Sequence, residues 1–317
     1  MASTRPSPSA ASGSVLLNRL LARAKFRHVQ VLLRLAELGS VQRTAESVGT
    51  SQSAVTQTLA YLEQLLETRL FERHARGVRP TRAGSELLPM ARQLMNSLAH
   101  GAESLAALNQ RGRALVRLTA SPAAITGVVV RVLPAFLQRH PGMEVVLKEA
   151  EGEDLLLTIT RNEADIVVGR QPGVIPEGWT FHPVLADELV VITAPDHPLA
   201  RRRQLPVASL AGQEWLLPPV GSVARSCFDE WVSRLPYPER VYPLVTRTAV
   251  ALWWALRDSR ILGFAPRSAV RHLVEIGELT TLSLQETIPM EPIGILARAG
   301  EHAGPAGLLI DYLRSTA

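Results

Sequence analysis

Apolar positions recur at helical spacing three times in the first third of the chain. In "FRHVQVLLRLAELGS", Phe26, Val29, Leu32, Leu33 and Ala36 form one stripe, and Gly39 ends that helix. Ser40 suits the N-cap of a second helix over 41–48, with Val41, Thr44, Ala45 and Val48 facing inward. Gly49 allows a left-handed turn. Thr50 or Ser51 then caps a third helix that runs to about Leu66, with Ala54, Val55, Leu59, Leu62 and Leu66 inward. Two short helices joined by a turn containing Gly predict a helix-turn-helix. Ala45 is small where the helices cross, and Val55 packs the second helix on the first. Leu70 and Phe71 read as an anchor entering the core, followed by a basic hairpin in "RHARGVRPT". Thr81 caps a helix beginning around Arg82. Over 82–110 an apolar stripe (Leu87, Leu94, Leu98, Leu105 and Leu108 among it) is too long to stay in water. Two antiparallel copies would bury it; packing within its own domain is the alternative.

From Arg113 the period changes. "ALVRLTA" reads as a strand, 122–139 as a helix, "MEVVLKEA" as a strand, 153–161 as a helix and "ADIVVG" as a strand. This β-α-β-α-β run predicts a right-handed, doubly wound sheet. A second set begins at "DELVVITA". It continues through "EWLLPP", a helix over 222–234, "VYPLVT", a helix over 248–258 and "ILGFAP"; "EPIGILAR" and a helix over 305–315 close the chain.

Composition and charge narrow the class. The chain has 317 residues, 46% of them hydrophobic, enough for two or three domains with real cores. No apolar run approaches the 18 or so residues of a membrane span, and the Ser-, Ala- and Pro-rich start lacks the apolar centre of a signal peptide. Residues 1–13 read as a disordered tail. The single Cys227 excludes an internal disulfide and a Cys-rich zinc site, fits a cytosolic protein, and reads as a small buried apolar residue. Residues 1–112 carry 14 Lys and Arg against 7 Asp and Glu; residues 113–317 carry 20 against 22. A basic first third points to a polyanion partner.

The outward face of the third helix carries Ser51, Gln52, Ser53, Thr56, Gln57 and Thr58, short groups that donate and accept. Gln pairs two-fold with adenine, and Ser and Thr reach base edges or phosphates; an ordinary solvated face is the bland alternative. Arg73, Arg76 and Arg79 on the hairpin could lie along a phosphate backbone. Taken together, "LAELGSVQRTAE", "SQSAVTQTLAYLE", "LFER", "RGVRPT" and "AG" resemble the winged helix-turn-helix of the LysR-type transcriptional regulators, and the length and organisation of the whole chain agree with that family. The resemblance implies DNA contacts at Ser51, Gln52, Ser53, Thr56, Gln57, Arg73, Arg76, Arg79 and Thr81. It also implies a homodimer through the linker helix, assembling to a homotetramer. Many members have Ser-Arg where this chain has Thr56-Gln57, which alters the half-site preference. The N-terminal extension before Phe26 is a second departure.

The expected architecture is therefore α/β with an N-terminal all-α winged helix-turn-helix, a long linker helix, and a two-lobed effector domain that resembles the type 2 periplasmic-binding-protein fold. Expected boundaries are a disordered tail and lead-in over 1–23, the DNA-binding domain over 24–84, the linker over 85–112, and the effector domain over 113–317. Within the last, lobe I takes 113–186 and 286–317 and lobe II takes 187–285. Ligands in such sheets sit at the C-terminal ends of strands, near helix N-termini. The candidate loops hold Ser121, Pro122 and Ala123; Gly169 and Arg170; Gly221, Ser222 and Val223; Thr246, Arg247 and Thr248; and Phe264, Ala265 and Pro266. Arginines beside helix N-termini suit a carboxylate, so the expected effector is an organic acid. Trp253 and Trp254 could line an aromatic subsite, though Trp at helical spacing is more often core. No catalytic residue, metal or cofactor is expected, since GxSxG, HExxH, P-loop, GxGxxG and CxxC patterns are absent and the eight His form no ligand-spaced pair. The partners expected are double-stranded promoter or operator DNA and the effector, with no membrane, in the cytoplasm. The rival from another class is a solute-binding protein with an unrelated N-terminal extension.

Overall fold

The structure is a computed structural model that describes residues 12–74, 77–233, 240–257, 259–300 and 304–316. The described residues divide into two compact units, with the boundary near Leu105. Arg76 lies outside the described residues.

The first unit is built on four helices: α1 (Gly13–Arg23), α2 (Phe26–Leu38), α3 (Val41–Ser47) and α4 (Gln52–Leu66). Their ends follow local chemistry. Gly39 closes α2 at φ +62, the Ser40 hydroxyl accepts from the Arg43 N–H, Gly49 turns at φ +64, and the Ser51 hydroxyl accepts from the Ala54 N–H. Ala45 and Val55 are buried together with Val31, so α3 and α4 cross where a small residue was required. Two expectations are corrected. Residues 13–23, of which 13 was expected in the disordered tail and the rest as a lead-in without a helix, form α1, which packs on α4: Arg19 pairs with Glu67 at 2.7 Å and the Tyr61 hydroxyl donates to the Arg23 carbonyl. Phe26, expected inward, is exposed, while Val31 and Leu35 are buried. The inward stripe misses them because α2 is covered on two sides, by α3 and α4 through Val31 and by the wing and the next helix through Leu32, Leu33 and Leu35.

The wing is an antiparallel pair, β1 (Phe71–His74) and β2 (Gly77–Pro80). The Val78 N–H donates to the Gly39 carbonyl, and Gly77 stands at φ +127 where any Cβ would lie 2.3 Å from that oxygen. Only glycine allows so close an approach. After it, α5 (Arg82–Arg111) runs as one helix with Pro89 inside it. Met90, Leu94, Leu98, Leu105 and Leu108 on α5 are exposed in the single chain.

The second unit holds a mixed nine-stranded sheet in the order β4-β3-β5-β11-β6-β9-β7-β8, with β10 (Thr280–Thr281) on β6. β3 (Ala114–Ala120) pairs in parallel with β4 (Met143–Glu149) and β5 (Ile166–Arg170), as the β-α-β-α-β pattern predicts. The helix over 122–139 is broken into α6 (Pro122–Ala124), a π-turn over Ile125–Val129, and α7 (Val130–Arg139). α8 (Glu153–Thr160) links β4 to β5. The two lobes share β6 (Trp179–Thr193) and β11 (Ile288–Arg298), which pair antiparallel along their lengths with a register shift between Met290 and Ile293. Beyond them lie β7 (Glu214–Leu216), β8 (Arg240–Val241) and β9 (Leu262–Pro266), with α9 (Val223–Val232), α10 (Ala249–Leu256), α11 (Arg267–Glu275) and α12 (Gly304–Thr316). One hydrophobic core sits under α7 and α12, and two more lie on either face of the second lobe. Ile288 and Met290 pack in the second lobe, so the return to lobe I falls at the register shift in β11 rather than at residue 286.

Candidate nucleic-acid interface and effector cavity

In the first unit, Ser51, Gln52, Ser53, Thr56 and Gln57 are all exposed on the first two turns of α4. Ser51 is partly committed to its cap, and the Ser51 and Ser53 hydroxyls lie 2.8 Å apart. The Thr56 hydroxyl donates to the Gln52 carbonyl, which leaves its oxygen able to accept but not to donate elsewhere. Thr58, expected outward, is half-buried. Arg73 and Arg79 are exposed. Register places Arg73 opposite Val78 and Arg79 opposite Glu72. Since successive strand residues alternate faces, the two arginines stand on opposite faces of the ribbon. Thr81 is a structural cap: its hydroxyl donates to the Arg69 carbonyl at 2.7 Å and accepts from the Gly84 N–H at 3.1 Å. Its contribution is to fix the wing against the start of α5.

In the second unit, a cavity of about 470 Å³ opens between the lobes at the C-terminal strand ends. Of the candidate loops it takes Ser121, Pro122, Ala123, Arg170, Gly221, Ser222, Thr246, Arg247 and Phe264 into its lining, but not Gly169 or Thr248. The serines serve as caps. Ser121 accepts from the Ala124 N–H; Ser222 accepts from Arg225 and donates to the Pro219 carbonyl at 2.7 Å. The first turns of α6 and α9 thereby face the cavity through Ala123, Val223 and Ala224. Phe264 is a buried wall residue, stacked on Trp231 with centroids 5.6 Å apart and edge-on to Phe228. Leu156, Leu252 and Met290 add apolar surface.

The charges are balanced in a way the sequence did not disclose. Arg170 gives one nitrogen to the Glu291 carbonyl and another to Asp187 at 2.6 Å. Asp187 is almost fully buried and also accepts from the Ser268 N–H, the Ser268 hydroxyl and the Glu188 N–H. Arg170 is thus held by a buried counter-ion. Arg247 reaches Glu151 of the opposite lobe at 3.0 Å. Glu151, Gly152 and Glu153 were missed, although they follow β4 and the strand-end rule that picked the loops after β3 and β5 applies to them equally. The aromatic subsite is overturned. Neither Trp253 nor Trp254 lines the cavity; the Trp253 indole donates to Glu278 at 2.9 Å, Trp254 is exposed, and the Arg257 guanidinium lies over both rings. Cys227 is half-buried against the second-lobe core, and burial pushes its thiol pKa up. Among the described residues no His, Cys, Asp and Glu cluster could hold a metal, and no helix is long and apolar enough to cross a membrane.

A helix-turn-helix with a wing, followed by a long helix and a two-lobed α/β binding domain, defines a ligand-responsive DNA-binding protein. The chain belongs to the LysR family of bacterial transcriptional regulators. Residues 26–85 match the bacterial regulatory helix-turn-helix of the lysR family, and residues 109–317 match the LysR substrate binding domain. It is similar to the transcriptional regulator GbpR of Azospirillum brasilense, 28% identical over 87% of this chain and 81% of that protein. It is likewise similar to PcaQ of Agrobacterium fabrum, 27% identical over 93% and 96%. Full-length CbnR, solved with its target DNA, shares the fold at a TM-score of 0.63 and 19% identity, covering 92% of this chain and all of that one. The Synechocystis CcmR regulatory domain, solved with 2-PG, matches 63% of this chain and 96% of that one at a TM-score of 0.53 and 26% identity. The protein is a DNA-binding transcriptional regulator with an effector-binding domain, and is not an enzyme. The solute-binding alternative has no support.

Proposed function

We propose that Ser51, Gln52, Ser53, Thr56 and Gln57 read base edges while Arg73, Arg76 and Arg79 hold phosphates, within a DNA-binding domain that ends near residue 84. The supporting observations are the exposed, uncharged start of α4 and the exposed arginines of the ribbon that follows it in the same unit. Division of labour follows from charge: α4 chooses sequence and the wing supplies most of the non-specific affinity. Thr81 acts indirectly, by fixing the wing. The exposed apolar stripe of α5 supports a dimer through that helix, and the family resemblance favours a tetramer in the cytoplasm.

For the effector we infer a small organic acid with an apolar body, bound in the cavity between the lobes. Helix first turns at Ala123, Val223 and Ala224 suit its carboxylate, Arg247 supplies a positive charge, and Phe264, Leu156 and Leu252 suit its body. A CcmR regulatory domain carrying 2-PG is a precedent for a small ligand in this domain type. The test is footprinting of the promoter upstream of the protein's own gene with a panel of small acids. The expected result is a protected site whose extent changes with one acid; a footprint indifferent to every acid would refute the effector reading.

A further inference from the structure

The two sides of the cleft are held differently. On the hinge side the lobes are pinned by buried groups. Asp187 ties Arg170 to Ser268, the Thr126 hydroxyl donates to the Ser268 carbonyl at 2.9 Å, and Gly127 packs so closely that a Cβ would lie 2.9 Å from that of Ser268. At the mouth, Glu151 of the first lobe reaches Arg247 of the second through side chains about half exposed. Both residues line the cavity.

We propose that the Glu151 carboxylate is a built-in occupant of the anion position at Arg247, and that an acid effector binds by displacing it. This rests on the reading of the cavity as a carboxylate site. Arg170 is already neutralised by buried Asp187, so Arg247 is the cavity arginine whose partner is open to exchange. An incoming carboxylate is chemically equivalent to the one it replaces. The exchange therefore conserves the ion pair at Arg247 and releases Glu151 to water, where a half-exposed group loses little. A neutral isostere cannot make the exchange, because it would leave Arg247 without its counter-charge. Displacement also removes a tie between the lobes while the hinge network stays closed. Glu151 thereby sets two properties: it selects for anions, and it couples their binding to the spacing of the lobes at the mouth.

The test is calorimetric titration of the full-length protein with acetate, butyrate, benzoate and phenylacetate, and with their four amides. An exposed ion pair shifts an equilibrium by about 1.4- to 5-fold. Glu151→Gln is therefore expected to tighten binding of a carboxylate that the wild type takes by that factor, with the amides unchanged, and Arg247→Gln to weaken it. If Glu151→Gln binds that carboxylate no better than wild type while Arg247→Gln binds it worse, the cavity reading stands and the displacement proposal is overturned. If Arg247→Gln matches wild type, or no carboxylate binds any form, the acid-effector reading fails and the proposal falls with it.

Discussion

Replacing Asp187 removes the centre of the hinge. Its side chain is 1% exposed and its partner Arg170 19%, so the ion pair is largely withdrawn from water. One oxygen takes Arg170 at 2.6 Å and the Ser268 hydroxyl at 2.5 Å; the other takes two backbone N–H groups, Ser268 at 3.1 Å and Glu188 at 3.0 Å. Asp187→Ala leaves the guanidinium without its counter-ion and strands these donors. Removing one partner of a buried pair costs about 3–5 kcal/mol, a large share of the roughly 5–15 kcal/mol that holds a domain folded. Asp187→Asn keeps the shape and the backbone bonds but loses the charge toward Arg170, for about 1.5–3 kcal/mol. Arg170→Met combined with Asp187→Ala should cost less than the sum of the two single changes, because neither leaves a stranded partner for the other. Urea denaturation followed by tryptophan fluorescence reads this directly, since all five tryptophans fall between residues 179 and 254. The expected result is a lowered midpoint with an unchanged slope. An Asp187→Ala protein within 1 kcal/mol of wild type, or strict additivity with Arg170→Met, would refute the hinge argument.

Two further outcomes follow from single atoms. Gly84→Ala would ordinarily stabilise a helix by about 1 kcal/mol, but here the added Cβ meets the Leu70 carbonyl oxygen at 2.1 Å. A net loss of about 1–3 kcal/mol is expected, read as a lower calorimetric melting temperature of the first unit; a rise would show that α5 and the wing are not in such close contact. His197 is buried, accepts from the Leu199 N–H through Nδ1 and contacts the Arg260 carbonyl through Nε2. Burial lowers its pKa below the ordinary 6.5. The unfolded chain therefore takes up the proton first, so this group's contribution is intact above about pH 6.5 and declines as pH falls below it. His197→Gln should flatten that slope in urea midpoints measured from pH 7.5 to 5.5; an unchanged slope would remove His197 as its source.

Much of this was legible in the sequence because it depends on local chemistry. Gly39, Ser40, Gly49 and Ser51 punctuate the helix-turn-helix through their own backbone preferences, and the strand-end rule picked loops that all reach one cavity, though Gly169 and Thr248 within them do not line it. What was not legible depends on tertiary contact. α1 carries no strong start signal and gains its place from α4 through Arg19 and Tyr61. The first half of β6, 179–186, alternates poorly and is interrupted by Pro183, yet pairs along β11. Arg170 reads as a loop arginine open to a carboxylate until its buried partner, 17 residues on, is seen beside it.

In the proposed division of labour the outward face of α4 chooses DNA sequence and the wing binds phosphate. Fluorescence anisotropy on the protein's upstream intergenic DNA and on a scrambled duplex, across a salt series, tests both at once. Gln52→Ala should lose about 1–3 kcal/mol on the true site with little change on the scrambled one. Arg79→Ala should weaken both about equally and reduce the salt slope by about one unit. A Gln52→Ala protein that keeps its full preference for the true site would contradict the account.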